Sequence, residues 1–162
     1  MSIDRLSDVH ERLTRLYKLL KGIELAKDDA ESAEKPRIQL KIDSQWKEIR
    51  SVEKEYAQQL AQHLKRQELP ESIAQEVVGE LVDELEMMEP IAKTDEMRSM
   101  LQQILAELQK PGVPAAAKLK VAIPLVPGFV AIELEGDAES VVRRLFPTFV
   151  KAYEGVKAIA GK

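Results

Sequence analysis

The sequence predicts a mainly α protein. An antiparallel bundle of about four helices over residues 1–110 precedes a β-hairpin and a C-terminal helix over 111–162, the two parts packed as one unit. Three observations carry this expectation. Long stretches place apolar residues at alternating steps of three and four, the spacing of one helix face. Prolines at 36, 70, 90 and 111 fall between those stretches, where a residue lacking a backbone N–H is tolerated. From 111 onward the pattern changes to apolar runs around a Pro-Gly pair, a hairpin signal.

The first helix can be capped by Ser2 or Ser7, with Asp4 and Asp8 near its positive end. Leu6, Val9, Leu13, Leu16, Leu20 and Ile23 make a heptad-like stripe. Residues 28–35 hold no apolar side chain larger than alanine, so a turn falls there. Pro36 then opens the second helix, 36–67. Its stripe is Ile38, Ile42, Ile49, Val52, Tyr56 and Leu60, with Gln45 in the missing position and Trp46 beside it. Two long helices with a short polar connection predict an antiparallel hairpin. The third helix, 71–89, shows Ile73, Val77, Leu81, Leu85 and Met88. The fourth, 95–110, shows Met97, Leu101, Ile104 and Leu108, with Thr94 or Asp95 as its cap and Pro111-Gly112 as its stop.

Val121, Ile123 and Leu125 alternate with Ala122, Pro124 and Val126, and after Pro127-Gly128 a second run covers Phe129 to Glu135. Both runs read as strands, the first demoted to an edge by Pro124. A last helix over 138–160 carries Val141, Val142, Leu145, Phe146, Phe149, Val150, Tyr153 and Val156, with an interruption expected at Pro147.

Composition narrows the function classes. With 44% hydrophobic and 32% charged residues the chain is ordinary for a soluble protein, and no cysteine is present to form a disulfide or a thiolate metal site. The N-terminus lacks the apolar core of a secretory signal. The uncharged run from Val121 to Ile132 is shorter than the about 20 residues a spanning helix needs. A cytoplasmic setting is expected. The net charge of −4 is uneven: residues 1–66 sum to +2, 67–109 to −9 and 110–162 to +3. The acidic middle argues against nucleic acid as a partner.

No catalytic, cofactor or metal constellation is expected. His10 and His63 have no second histidine or cysteine nearby and read as surface or stripe-edge residues. Glu76, Glu80 and Glu84 share one helical face, but the Glu-x-x-His pattern of carboxylate metal sites is missing. That row reads as a solvated face or a docking face for a basic partner. Reversing all three to lysine is expected to abolish capture and leave folding nearly intact. Gly112, Gly128 and Gly136 are turn glycines and build no phosphate loop. The strand Phe129 to Glu135, with Phe129, Ile132 and Leu134, keeps its backbone donors and is the expected edge for a partner strand.

Residues 118–149, KLKVAIPLVPGFVAIELEGDAESVVRRLFPTF, carry a resemblance. The Pro-Gly between apolar runs, the Glu-Leu-Glu exit and the Arg-Arg-Leu-Phe-Pro-Thr-Phe opening resemble a segment of bacterial STAND/NACHT-type NTPases and related conflict-system signalling proteins. There it lies in the amino-terminal, effector-associated region. The preceding PGVPAAAKLK and the RLTRLYKLLKGIELAKDDAE of the first helix are similar too. The resemblance implies a non-catalytic adaptor of a prokaryotic signalling or antiviral defence system, with protein partners: a homo-oligomer, or a STAND NTPase or effector. The alternative is a membrane-active effector using residues 121–132 and the amphipathic C-terminal helix, with a membrane the less expected partner.

Overall fold

The computed structural model describes residues 3–92, 94–128 and 141–160. Helices are α1 (Ile3–Asp29), α2 (Lys35–Arg66), α3 (Glu71–Met88), α4 (Asp95–Leu108), α5 (Ala115–Ala122) and α6 (Val141–Ala160). Short 3-10 turns cover Glu89–Ile91 and Ile123–Leu125.

Both stripes of the first two helices close on each other as an antiparallel hairpin. Leu6, Leu13, Leu20, Ile49, Tyr56 and Leu60 are fully buried along the seam. At 1.5 Å per residue, α1 is about 40 Å long and α2 about 48 Å. α6 lies antiparallel to α1: Arg143 meets Glu24 at 2.8 Å, and ten residues later the Tyr153 hydroxyl donates to Ser7 at 3.0 Å. α6 is also antiparallel to α3, with Arg144 on Glu84 at 3.0 Å and Gly155 against Leu69 and Ile73. The core is one cluster containing apolar residues of all six helices.

Helix boundaries follow local chemistry. Pro36 occupies the first turn of α2, where its missing N–H costs nothing. The Thr94 hydroxyl accepts from the Met97 N–H at 3.1 Å and caps α4. Gly112, at φ 75°, takes the left-handed turn after α4 that a side chain resists.

The expected β-hairpin is a correction. Among the described residues there is no strand. The first run is helical: α5 continues to Ala122, then comes the 3-10 turn Ile123–Leu125, and residues 126–128 are helical again. The alternation of Val121, Ile123 and Leu125 competed with a second pattern, Leu119, Ala122, Ile123 and Val126, at steps of three, four and seven. Those four are the buried residues, and exposed Val121 breaks the strand reading. Three successive alanines favour a helix at 115–117. The Glu71 carboxylate also accepts from the N–H groups of Ala115 and Ala116, at 2.9 and 3.0 Å, so α3 caps α5. Those bonds hold the Glu71 carboxyl below its ordinary range. The second expected strand, with Phe129, Ile132 and Leu134, lies outside the described residues.

Pro147 does not interrupt the last helix, which runs unbroken from Val141 to Ala160. The proline is exposed, while Val142, Leu145, Phe149, Ala152, Tyr153 and Val156 are buried on one face. That burial outweighs one missing backbone bond, a loss of about 3 kcal/mol.

Candidate functional site

The acidic row of α3 lies beside α6. Glu84 pairs with Arg144 at 3.0 Å, and Glu80 pairs with Lys151. The Glu80 contact raises the Lys151 ammonium above its ordinary pKa. Thr148 adds a 3.5 Å contact to Glu80. Glu76 is exposed, and its charge also favours the Lys151 cation. Two of the three glutamates thus serve contacts within the chain, and reversing them to lysine would set like charges against α6.

Sequence reasoning missed a seam where α1, α2 and α6 meet. All six described aromatic side chains enter it. The His10 ring stacks on Tyr153 at 3.9 Å between centroids and near-parallel at 9°. Its Nδ1 lies 3.1 Å from the Tyr56 hydroxyl, and Phe146 stands 5.4 Å away. The Tyr17 hydroxyl donates to Glu53, a fully buried carboxylate, at 2.6 Å. Phe149 meets the Tyr56 ring edge-on. Trp46 receives the guanidinium groups of Arg50 and Arg143 at 5.6 and 5.7 Å. Burial pushes the Tyr17 hydroxyl pKa up, and the Glu53 charge pushes it further; burial raises that of Tyr56. Both hydroxyls therefore remain protonated donors. Burial lowers the His10 pKa, against the raising charges of Glu154 and Glu11 and with the lowering charge of Lys157. The seam fixes α6 onto the hairpin through donors and acceptors that only one register satisfies. His10 and His63, expected at a surface or stripe edge, both sit at the open end of the hairpin. His63 is buried and His10 half-buried.

The far end of the hairpin is different. None of residues 21–41 is buried; Ile23 and Ile38 pack on the edge of the core and Glu24 meets Arg143, and among the described residues this closed end of the hairpin, the arm, is its least covered part. Leu25 and Leu40 are 55 and 68% exposed on it, and Leu19, just before it, is 54% exposed. A groove of about 460 Å³ opens between the two helices of the arm. Leu19, Gly22, Ile23, Ala26 and Ile38 give it an apolar lining, and Lys18, Arg37, Lys41 and a single acid, Glu34, supply charge. The α1 residues that meet α6 include Ser7, His10, Tyr17 and Glu24, the last three at seven-residue spacing. Leu19, Gly22 and Ala26 fall on roughly the opposite face at 100° per residue, with Lys18 at its edge. The groove therefore opens away from α6.

Among the described residues, no three His, Asp or Glu side chains are placed to hold a metal ion. No described helix is long and apolar enough to cross a membrane. No protein-family model, curated protein or solved structure matches the chain.

Proposed function

We propose that this chain is a non-catalytic protein–protein interaction module, a cytoplasmic adaptor of a prokaryotic signalling or defence system, and that the arm of α1 and α2 is its contact element. The observation that carries the reading is the apolar, cationic groove on a stretch with no buried residue between 21 and 41. Leu25 and Leu40 on the arm and Leu19 beside it, all more than half exposed, suit a protein contact. The groove fits an amphipathic helix whose apolar stripe is flanked by acids, which Lys18, Arg37 and Lys41 would meet. The membrane-active alternative would need residues 129–132, which lie outside the described residues, because much of its remaining apolar surface is internal. The apolar face of α6 lies in the bundle core, and Leu119, Ala122, Ile123 and Val126 are buried.

The test places a photo-crosslinking residue at Leu25 or Leu40 in the protein expressed in its own host. Gln103, exposed on α4, is the control position. Both arm positions should give the same discrete adduct, identified by mass spectrometry. Lys18→Glu with Arg37→Glu and Lys41→Glu should remove it. Arm positions that crosslink no differently from Gln103 would defeat the reading.

A further inference from the structure

We infer that the groove of the arm receives the end of α3 from a second copy of this chain. The inference rests on the arm being a contact element and names what fills it. The groove calls for an apolar projection ringed by acids, and the chain presents one. Met87, in the last turn of α3, and Ile91, in the following 3-10 turn, are 58 and 66% exposed. Asp83, Glu86 and Glu89 surround them in sequence. Among the described residues, Glu86 and Glu89 accept from the neutral amides of Gln109 and Gln102, both at 2.8 Å, and the nearby cation Arg98 turns to the Ala92 carbonyl and Asp95. The segment 67–109 carries most of the acid excess, with 11 acidic and 2 basic residues. Three cations against one acid line the groove. The two surfaces are complementary in both hydrophobicity and charge.

The contact must form between copies. Within one chain, Arg144 holds the end of α3 through Glu84, and α6 lies against α1 on the face opposite the groove. The end of α3 therefore cannot reach its own groove. Since the two patches are different surfaces, the contact is head-to-tail. Each copy keeps one groove and one projection free for further copies unless the rotation closes a ring.

Two variants separate the halves. Lys18→Glu with Arg37→Glu and Lys41→Glu spoils the groove and keeps the projection. Met87→Asp with Ile91→Asp spoils the projection and keeps the groove. All five residues are exposed, so circular dichroism and thermal unfolding should show both variants folded. By sedimentation, the wild type should associate reversibly, more at higher protein concentration and less at high salt. Each variant alone should associate roughly tenfold or more weakly. Their mixture should form a 1:1 dimer that does not grow, because one intact groove meets one intact projection.

A wild type that stays monomeric at its highest soluble concentration would overturn the inference, whether its groove is open or filled by its own chain. So would self-association that the groove variant does not weaken, or two variants that fail to pair. A monomeric wild type that still crosslinks a different protein through Leu25 and Leu40 would defeat this inference and leave the arm's contact role intact.

Discussion

His10 is bounded by Tyr56 on its Nδ1 side and by Tyr153 across its ring, and burial makes the neutral imidazole the favoured form in the fold. In the unfolded chain the ring titrates at about 6.5. A folded pKa below that value means the unfolded state binds more protons as the solution acidifies. The contribution of His10 is then complete above about pH 6.5 and declines as pH falls through the window below it. Chemical denaturation across that window should show the wild type losing stability with acid and His10→Gln losing less; equal slopes would show that His10 does not titrate with unfolding. Two glycines give a steric contrast. A Cβ on Gly79 meets nothing within 4 Å, so Gly79→Ala should stabilise by about 0.5–1 kcal/mol through helix propensity. A Cβ on Gly155 would stand 2.7 Å from the Leu69 side chain, and Gly155→Val should destabilise by about 1–3 kcal/mol. Thermal unfolding of the pair checks both signs. None of this was legible in the sequence. The role of His10 depends on α6, far along the chain, and that of Gly155, on α6 itself, depends on Leu69 and Ile73, so both roles rest on contacts more than eighty residues apart.

Along α1 and α2 the stripe keeps its spacing while its surroundings change. On the stripe, Leu13 is fully buried against the rest of the bundle while Ile23 and Ile38 on the arm are only partly buried; Leu40, off the stripe, is 68% exposed. Leu13→Ala should cost about 2–5 kcal/mol in denaturant unfolding, and Leu40→Ala should stay within about 0.5 kcal/mol of wild type. A large loss at Leu40 would mean that the arm is covered in the free protein. On α3, Glu84→Arg sets like charges together and should cost about 0.5–1 kcal/mol, with Arg144→Glu added to it restoring most of the loss. An additive double variant would show that the pair carries no coupling. Helices α1 to α4 were readable because each has a long 3.6-residue period and a proline or a cap at its ends. α5 was not, because its eight residues are dominated by small alanines and two prolines follow within five positions. Its cap comes from Glu71, 44 residues upstream, a signal no local window contains. The acidic row was visible as a pattern, but its ion pairs with α6 required knowing which helix lay beside it.

Over the whole molecule, stability should grade along the hairpin. α6 covers α1 and α2 as far as Arg143 on Glu24 and Trp46, and α5 with its 3-10 turn covers α2 on another side. Past that level no described element beyond the hairpin is seen to cover the arm, and no residue from 21 to 41 is buried. Local opening is cheapest where few apolar contacts must break. Hydrogen exchange at low protein concentration should therefore be fast across 21–41 and slow across 49–64, where Ile49, Val52, Tyr56, Leu60 and Leu64 are buried. Docking of the end of α3 into the groove would add contacts at two separate places. Raising the protein concentration should then slow exchange at 18–41 and at 83–91 together, with 49–64 unchanged. Because binding stabilises only the closed arm, the slowing should follow the fraction associated, and the Met87→Asp, Ile91→Asp variant should show none of it. Slowing at the arm without slowing at the end of α3 would place the contact elsewhere on the second copy. Uniformly slow exchange through 21–41 even at high dilution would contradict the exposed arm itself.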